Sequence, residues 1–286
     1  MNVPSATKSP SSIAYDYQTI KITQSRIDKG LVAIPVGLTR FFPDHNTTIY
    51  LYLGYSSEYL PKRYSSVSSK TGEARIGGMS SWFKEAGVQN NDEIVFQVVD
   101  REKRHFRLIP EKLFLAKTAE IQSSLDTSQN EPEALSSIKR LADLTLVDNR
   151  AVILNEYFRL AKSEINQRKS VLRRSHPGKE SAPSHIRILL GNVYQGRCQV
   201  CSFCFLKKDR QPYFEIHHIN PHRGNDFRNL VLVCANCHRQ FEFAHVRKHF
   251  NDEGWLTAFN FNGNLYSLNQ RSLEKGSGSA FKEIYY

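Results

Sequence analysis

The sequence contains no long apolar runs. Runs such as Leu230–Val233 are far shorter than the roughly 20 apolar residues of a membrane-spanning helix. The first residues also lack the basic, apolar and small-residue order of a secretory signal. We therefore expect a cytoplasmic protein that does not span a membrane.

Cysteine is scarce as well, and its placement is uneven. The 286 residues include only 5 cysteines, all of them between Cys198 and Cys237. Disulfides that stabilise secreted domains use cysteines spread along the chain, whereas a tight group of cysteines is typical of metal ligation in a reducing compartment. The distribution therefore indicates a metal site in the last third of the chain.

Acidic residues are outnumbered by basic ones. There are 39 Lys and Arg against 28 Asp and Glu, which gives a formal net charge of +11. A surplus of this size favours a polyanionic partner through counterion release, although charge alone does not distinguish DNA from RNA. The length of 286 residues suits two modest domains, each with its own core.

Short strand-like segments dominate the first part of the chain. Residues 1–16 are rich in Ser and Pro, and we expect a disordered tail there. Residues 17–115 contain β-type runs separated by turn residues, with one helical stretch at Ser80–Ala86. The predicted strands are Thr19–Thr23, Leu31–Pro35, Thr48–Leu53, Ile94–Val99 and His105–Ile109. Many short strands with few helices indicate a barrel or a sandwich.

The segment 116–190 has a different character, and we expect a linker followed by helices. Residues 117–133 are polar and have few large apolar groups, which is typical of a linker. Apolar residues then recur at helical spacing in Glu133–Leu144 and in Asp148–Arg174, which predicts two helices. Residues 191–286 complete the chain as a further domain that contains the cysteines.

Two Cys-x-x-Cys pairs predict a structural zinc site. The pairs are Cys198/Cys201 and Cys234/Cys237, and four thiolates in two such pairs can surround a tetrahedral zinc ion. Cys204 creates an overlapping pair with Cys201, so the first pair has an alternative; we favour Cys198/Cys201. The same pattern would also suit a zinc ribbon that only stabilises a small domain.

Three histidines near these pairs are not needed for zinc. Two of them are adjacent in Glu215-Ile-His217-His218, and His238 directly follows the last cysteine. A buried histidine beside a strand often serves packing alone. Together with Asn229, however, the spacing of the three histidines favours catalysis.

Residues 196–245 resemble the HNH nuclease family, whose members are also called ββα-metal nucleases. The resemblance lies in the cysteine pairs, the His217-His218 pair, Asn229-Leu230 and His238. It implies a hairpin and a helix that hold one catalytic divalent cation, with magnesium or another divalent ion as the occupant. By the same resemblance, His218 matches the general base, His217 and His238 match metal ligands, and Asn229 matches the residue that holds the base-bearing loop. A third metal ligand is open between Glu242, His245 and neither.

Residues from about 17 to 112 resemble the plant auxin-response-factor type of DNA-binding pseudobarrel, a fold also found as the recognition domain of some restriction enzymes. The resemblance rests on Ile22-Thr-Gln-Ser25, Gly30–Pro35, Arg40-Phe-Phe-Pro43 and Ser81-Trp-Phe83, among other short segments. It implies that two polar segments, 24–29 and 62–75, grip a DNA major groove.

The candidate DNA contacts in these two segments are Gln24, Ser25, Arg26, Lys29, Lys62, Arg63, Lys70 and Arg75. Arg and Gln can donate paired hydrogen bonds to guanine and adenine edges, whereas Lys and Ser more often hold phosphates. Each residue is also compatible with an exposed basic loop that recognises nothing.

The sequence as a whole predicts an α+β protein with an N-terminal β-pseudobarrel, a helical linker region and a C-terminal zinc-stapled ββα-metal domain. The combined resemblances imply a sequence-specific double-stranded DNA endonuclease that looks like a type II restriction enzyme and could act as a homodimer. Two alternatives stay open. One is a nuclease that cuts only methylated or otherwise modified DNA, and the other is a non-catalytic, zinc-containing DNA-binding regulator.

Overall fold

The computed structural model describes residues 15–68, 72–162, 181–268 and 270, together with the main chain of strands at 7–8, 170–173 and 176–179. The chain divides into two compact units. The first unit comprises Met1–Ser124 and Lys139–Asp148, and the second comprises Leu125–Ile138 and Asn149–Tyr286. The four-segment division expected from the sequence stays a prediction. Within the described part of the chain, no helix is both long and apolar enough to cross a membrane.

The first unit is built on an eight-stranded mixed sheet. Its strands are β1 (Thr7–Lys8), β2 (Tyr17–Lys21), β3 (Val32–Ala33), β4 (Thr47–Leu53), β5 (Tyr59–Ser65), β6 (Arg75–Ile76), β7 (Glu93–Asp100) and β8 (His105–Pro110). Their order in the sheet is β1-β2-β7-β8-β4-β5-β6-β3. Only β4 and β8 among the paired strands described here run parallel, and the remaining pairs are antiparallel. Among the described residues, β1 and β3 lie at the two ends of this order.

Large aromatic side chains fill the core of this sheet. Phe42 stacks on Tyr64, Phe96 and Phe106, with ring centroids 5.0, 5.3 and 4.4 Å away. Trp82 is also buried in the same cluster. The burial of these rings removes a large apolar area from water and holds the strands together.

Five helices accompany the sheet in chain order. They are α1 (Gln24–Lys29), α2 (Val36–Thr39), α3 (Ser80–Glu85), α4 (Glu111–Asp126) and α5 (Glu131–Thr145). The last two contribute residues to both units. Helix α3 and helix α5 confirm the predictions for Ser80–Ala86 and Glu133–Leu144.

The prediction of a linker at 117–133 is wrong, because most of this segment is helical. Helix α4 continues to Asp126, and α5 begins at Glu131. Phe114, Ile121 and Leu125 are buried at helical spacing and form the inner face of α4. Thr118 and Gln122 are buried between them, so the apolar stripe contains polar residues and was not visible in the composition.

The described residues of the second unit form three further α-helices and seven further strands. The helices are α6 (Asn149–Ala161), α7 (Ser184–Val193) and α8 (Ala235–Phe243). The strands are β9 (Ser170–Arg173), β10 (His176–Lys179), β11 (Glu215–His218), β12 (Leu230–Val233), β13 (Val246–Phe250), β14 (Leu256–Phe261) and β15 (Asn264–Ser267). They pair as β9 with β10, β11 with β12, and as the three-stranded sheet β13-β14-β15.

The predicted helix Asp148–Arg174 is too long. Helix α6 ends at Ala161, and residues 170–173 form a strand that pairs with 176–179. Pro177 lies in the partner strand and has no amide hydrogen for a helix. A hairpin therefore replaces the last part of the expected helix.

Candidate active site

The four cysteines of the two pairs come together as predicted. Their sulfur atoms all lie within 4.8 Å of one another, and Cys204 is not part of the group. Cys201 Sγ lies 3.7 Å from Cys234 Sγ and 3.6 Å from Cys237 Sγ. Tetrahedral zinc with metal–sulfur bonds of about 2.3 Å places its sulfur ligands about 3.8 Å apart. The group therefore fits a structural zinc ion.

Local main-chain geometry explains how the cysteines meet. Ser202 N donates to Cys198 O at 2.8 Å, which closes the turn that holds the first pair. Gln199 fixes this turn to β12, because its main-chain N–H donates to Leu232 O and its side-chain oxygen accepts from Leu232 N. Cys234 and Cys237 lie at the N-terminus of α8.

The Cys198 and Cys237 thiols influence each other's protonation. A hydrogen bond from Cys237 lowers the pKa of the Cys198 thiol. The same bond raises the pKa of Cys237, and burial raises it further. Four thiolates together would repel one another, so a bound cation is needed to stabilise them all.

The His217-His218 pair lies at the end of β11, in the antiparallel hairpin with β12. His217 pairs with Val231, and His218 pairs with Leu230. Adjacent strand residues point to opposite faces of a sheet, so the two imidazoles have different surroundings. The hairpin and the following α8 confirm the local architecture that the family resemblance implied.

The two predicted catalytic-metal ligands lie side by side. The ring centroids of His217 and His238 are 5.3 Å apart, with the planes at 72°. His217 also stacks on Phe241 of α8, at 4.3 Å and 15° between planes. Packing on Phe241 therefore fixes the orientation of the His217 imidazole toward His238.

Glu215 orients His238 from the other side. Its carboxylate accepts a hydrogen bond from His238 Nδ1 and another from the hydroxyl of Tyr213. A carboxylate can only accept, so Nδ1 carries the hydrogen and Nε2 carries the lone pair that a metal needs. Burial tends to raise the pKa of Glu215, but the hydrogen bonds from Tyr213 and His238 bring that pKa below its ordinary value.

Glu242 approaches the metal-binding face of His238. Its Oε1 atom lies 4.0 Å from His238 Nε2, and its Oε2 atom accepts from Arg239 at 2.6 Å. Two imidazoles and a carboxylate are suitable donors for a divalent cation. Within the described residues, however, only the four cysteines form a group of three or more close metal-ligating side chains. The choice among Glu242, His245 and neither stays a prediction.

His218 is largely buried and has a defined tautomer. Its Nε2 atom lies 2.9 Å from Oδ1 of Asn225. The amide oxygen accepts, so Nε2 carries the hydrogen. A neutral imidazole is a side chain that can serve as a general base.

Asn229 holds the loop that follows His218. Its side chain accepts from Asn220 N at 2.8 Å and donates to the carbonyl oxygens of Asn220, Arg223 and Gly224 at 3.1, 3.2 and 3.0 Å. The side chain is 1% exposed, so these bonds are shielded from water. This network is the geometry expected of a residue that fixes the base-bearing loop.

Lys248 of β13 contacts the same loop. Its ammonium group donates to the carbonyl oxygen of Ile219, the residue after His218. Burial lowers the pKa of Lys248. The loop is therefore fixed from two sides, by Asn229 and by Lys248.

The predicted DNA contacts lie in the first unit. Helix α1 contains Gln24, Ser25, Arg26 and Lys29, so this segment is helical and not an open loop. The helix is followed by Gly30, whose φ of +61° favours glycine. A Cβ atom at this position would also lie only 2.2 Å from Ser80 Oγ, so a larger residue would not fit.

The second polar segment lies on two strands and the loop between them. Lys62 and Arg63 lie on β5, Arg75 lies on β6, and Lys70 lies outside the described residues. Arg26 forms an ion pair with Glu73, which joins the two segments. Lys62 Nζ donates to the carbonyl of Gly78. The structure thus brings the two segments together, and their DNA contacts stay predictions.

Sequence reasoning missed four residues of the carboxy-terminal site: Tyr213, Glu215, Asn225 and Lys248. Glu215 could have been found, because it lies two positions before His217 and so points to the same face of β11. Asn225 and Lys248 reach the site only through the folding of a loop and of a later strand. Short-range sequence patterns do not predict such contacts.

A family model described as HNH endonuclease matches residues 198–242. No curated protein matches the chain. Among solved structures, the N-terminal domain of Helicobacter pylori LlaJI.R1 is similar, at 16% identity and a TM-score of 0.25, over 32% of this chain and 78% of that one. The match to the family model identifies residues 198–242 as an HNH endonuclease domain, the module of a DNA-cleaving hydrolase.

Proposed function

We propose that the protein is a sequence-specific double-stranded DNA endonuclease of the type II restriction kind. The observation that carries this proposal is the arrangement around the β11–β12 hairpin: the buried His218 imidazole, hydrogen-bonded to Asn225, lies next in the chain to His217, and His217 lies beside His238 of α8. The loop after His218 is fixed by Asn229. This arrangement suits phosphodiester hydrolysis by a histidine base and a divalent cation.

The chemistry assigns a role to each residue. His218 accepts a proton from the attacking water, and the hydrogen bond with Asn225 holds the ring in place. His217 and His238 would hold a divalent cation, magnesium or another, with Glu215 keeping His238 oriented. When bound, such a cation supplies positive charge for the leaving oxygen and the crowded transition state. The zinc-binding cysteines keep the start of α8, and so His238, in place.

Sequence specificity would come from the first unit. Basic and amide side chains on α1, β5 and β6 are suited to a major groove, and the ion pair of Arg26 with Glu73 joins α1 to the segment just before β6. The formal net charge of +11 favours binding to the DNA backbone. We propose that one unit reads DNA and the other cuts it. Cutting both strands would then require a homodimer or two successive events.

Incubation of the purified protein with plasmid and magnesium tests the proposal. The test compares methylated with unmethylated plasmid, followed by sequencing of the ends. Discrete fragments from unmethylated plasmid support the proposal. Cleavage that depends on methylation would instead indicate a modification-dependent nuclease, and intact plasmid with a mobility shift would indicate a non-catalytic regulator.

A further inference from the structure

A short exposed hairpin projects between the first cysteine pair and β11. We call residues 203–213 the finger. A bridge between Leu206 and Pro212 pairs its two sides, and Tyr213 N donates to Phe205 O at 2.9 Å. At the tip, Lys207 N donates to Gln211 O at 2.8 Å. The finger is therefore an ordered hairpin and not a loose connection.

Three apolar side chains of the finger are turned toward solvent. Phe203 is 53% exposed, Phe205 is 46% exposed and Leu206 is 62% exposed. Exposed apolar residues that occur singly need no explanation, but three within four positions on one hairpin are unusual for a surface. This grouping indicates a contact that forms only when a partner binds.

The charges of the finger favour a DNA duplex as its binding partner. Its tip carries Lys207, Lys208 and Arg210, with Asp209 as the opposing charge. Lys207 Nζ lies 3.1 Å from the Asp209 carboxylate. Positive side chains next to exposed apolar ones suit a duplex, because phosphates attract the former and base steps accept the latter. An apolar protein surface would not favour the basic tip.

The base of the finger is firmly anchored. Pro212 packs tightly on Gly196: a Cβ atom added to Gly196 would lie 2.3 Å from the proline ring. Phe205 stacks on Tyr213 at 5.0 Å and 18° between planes. A rigid base allows exposed side chains to be driven into a base stack, since little conformational freedom is lost on binding.

The finger is also connected to the catalytic site. Tyr213, its last residue, donates to Glu215, and Glu215 accepts from His238. The apolar side chains therefore belong to a hairpin whose base contacts Glu215, the carboxylate that orients the proposed metal ligand His238. A duplex whose phosphate lies at the proposed metal site beside His238 would therefore lie close to the base of the finger.

We propose that the finger is a wedge that inserts Phe203 and Leu206 between base pairs next to the cleaved phosphate, while Lys207, Lys208 and Arg210 hold the flanking phosphates. This inference rests on the proposed nuclease function. Unstacking one step bends the duplex and opens the backbone toward the active site. The wedge thus contributes DNA distortion and not base recognition.

The test uses the full chain and begins by mapping the cut site with wild-type protein. Duplexes carrying 2-aminopurine at successive positions around that site are then bound to His218→Ala, with and without the double substitution Phe203→Ala/Leu206→Ala. Leu265→Ala is the matched control, because Leu265 is 66% exposed on β15 of the same unit. Zinc content and thermal midpoint verify that each variant folds, and Leu206→Asn alone replaces the double variant if the latter loses zinc.

We expect 2-aminopurine fluorescence to rise at one step beside the cut in the His218→Ala complex. The rise should disappear with the double substitution and persist with Leu265→Ala, and DNA affinity should fall roughly tenfold. Fluorescence that is flat at every position, or that survives the double substitution, overturns the wedge. A change of oligomeric state with unchanged DNA affinity also overturns it. Failure of the wild-type protein to cut any DNA is a separate result, which contradicts the nuclease proposal itself.

Discussion

The side chain of Asn229 forms two hydrogen bonds with the main chain of Asn220. Its Oδ1 accepts from Asn220 N at 2.8 Å, and its Nδ2 donates to Asn220 O at 3.1 Å. One amide thus fixes both polar groups of a residue two positions after His218. The position of the proposed base depends on this buried contact.

Asn229→Ala should destabilise the second unit and reduce cleavage. The substitution leaves buried main-chain groups of the loop without a partner, at a cost of about 1–3 kcal/mol. Asn229→Asp should cost more, because a carboxylate would lie beside the carbonyl oxygens of Arg223 and Gly224. Urea unfolding and plasmid cleavage measure the two effects. Wild-type stability in both variants would mean that the loop does not depend on Asn229.

Glu215→Ala should weaken the response to the catalytic cation. Without the carboxylate, His238 loses the hydrogen bond that directs Nε2 outward, and loss of such a partner typically lowers metal affinity about 10- to 100-fold. Glu215→Gln should be milder, because the amide oxygen can still accept from Nδ1. Cleavage measured against magnesium concentration gives the comparison. An unchanged magnesium dependence in Glu215→Ala would remove Glu215 from this role.

Cys234→Ser and Cys204→Ser form a matched pair. Loss of Cys234 should release zinc and unfold the second unit, since a structural zinc site contributes folding free energy on the order of 10 kcal/mol. Cys204 lies outside the sulfur group, so Cys204→Ser should retain zinc and a normal fold. Zinc analysis and circular dichroism distinguish the two. Zinc loss in Cys204→Ser would show that the ligand set is wrong.

Because of the buried His185, the folded protein should become less stable at mildly acidic pH. Burial lowers its pKa below the ordinary value of 6.5, while nearby Asp126 raises it and Arg159 lowers it. As the pH falls below about 6.5, the unfolded chain therefore binds a proton that the folded chain does not, and stability decreases by at most about 1.4 kcal/mol per pH unit. Above that pH both states are neutral at this position and the effect vanishes.

Urea unfolding at two pH values measures this effect. His185→Leu should reduce the difference in unfolding free energy between pH 7.5 and pH 5.5 as compared with wild type, whereas His249→Leu, at an exposed position, should not. Equal pH dependence in His185→Leu and wild type would show that His185 is not the group responsible.

The metal-binding part of the site was accessible from the sequence because its geometry is local. Cys198 and Cys201 share one turn, and Cys237 and His238 lie in the first turn of α8. Lys248 was not accessible, because it meets Ile219 across 29 positions through a strand that forms only in the folded chain. The ion pair between Arg26 and Glu73 could not be predicted either, because the two residues are 47 positions apart and meet only in the folded chain.

The secondary structure was likewise predictable from the sequence only in part. Strands rich in apolar residues, such as β4 and β7, lie within a few residues of their predicted bounds. Helix α4 was missed because Thr118 and Gln122 are buried within its inner face and dilute the apolar pattern. Tertiary burial, and not local composition, decided that segment.

Cleavage of plasmid by His218→Ala tests the central claim most directly. The claim is that the imidazole of His218 removes the proton from the attacking water. Wild-type protein with magnesium should cut the plasmid, and His218→Ala should cut at least about 100-fold more slowly while it retains zinc and DNA binding. His249→Ala, at an exposed position, should cut like wild type. Cleavage by folded, zinc-replete His218→Ala at the wild-type rate would contradict the account.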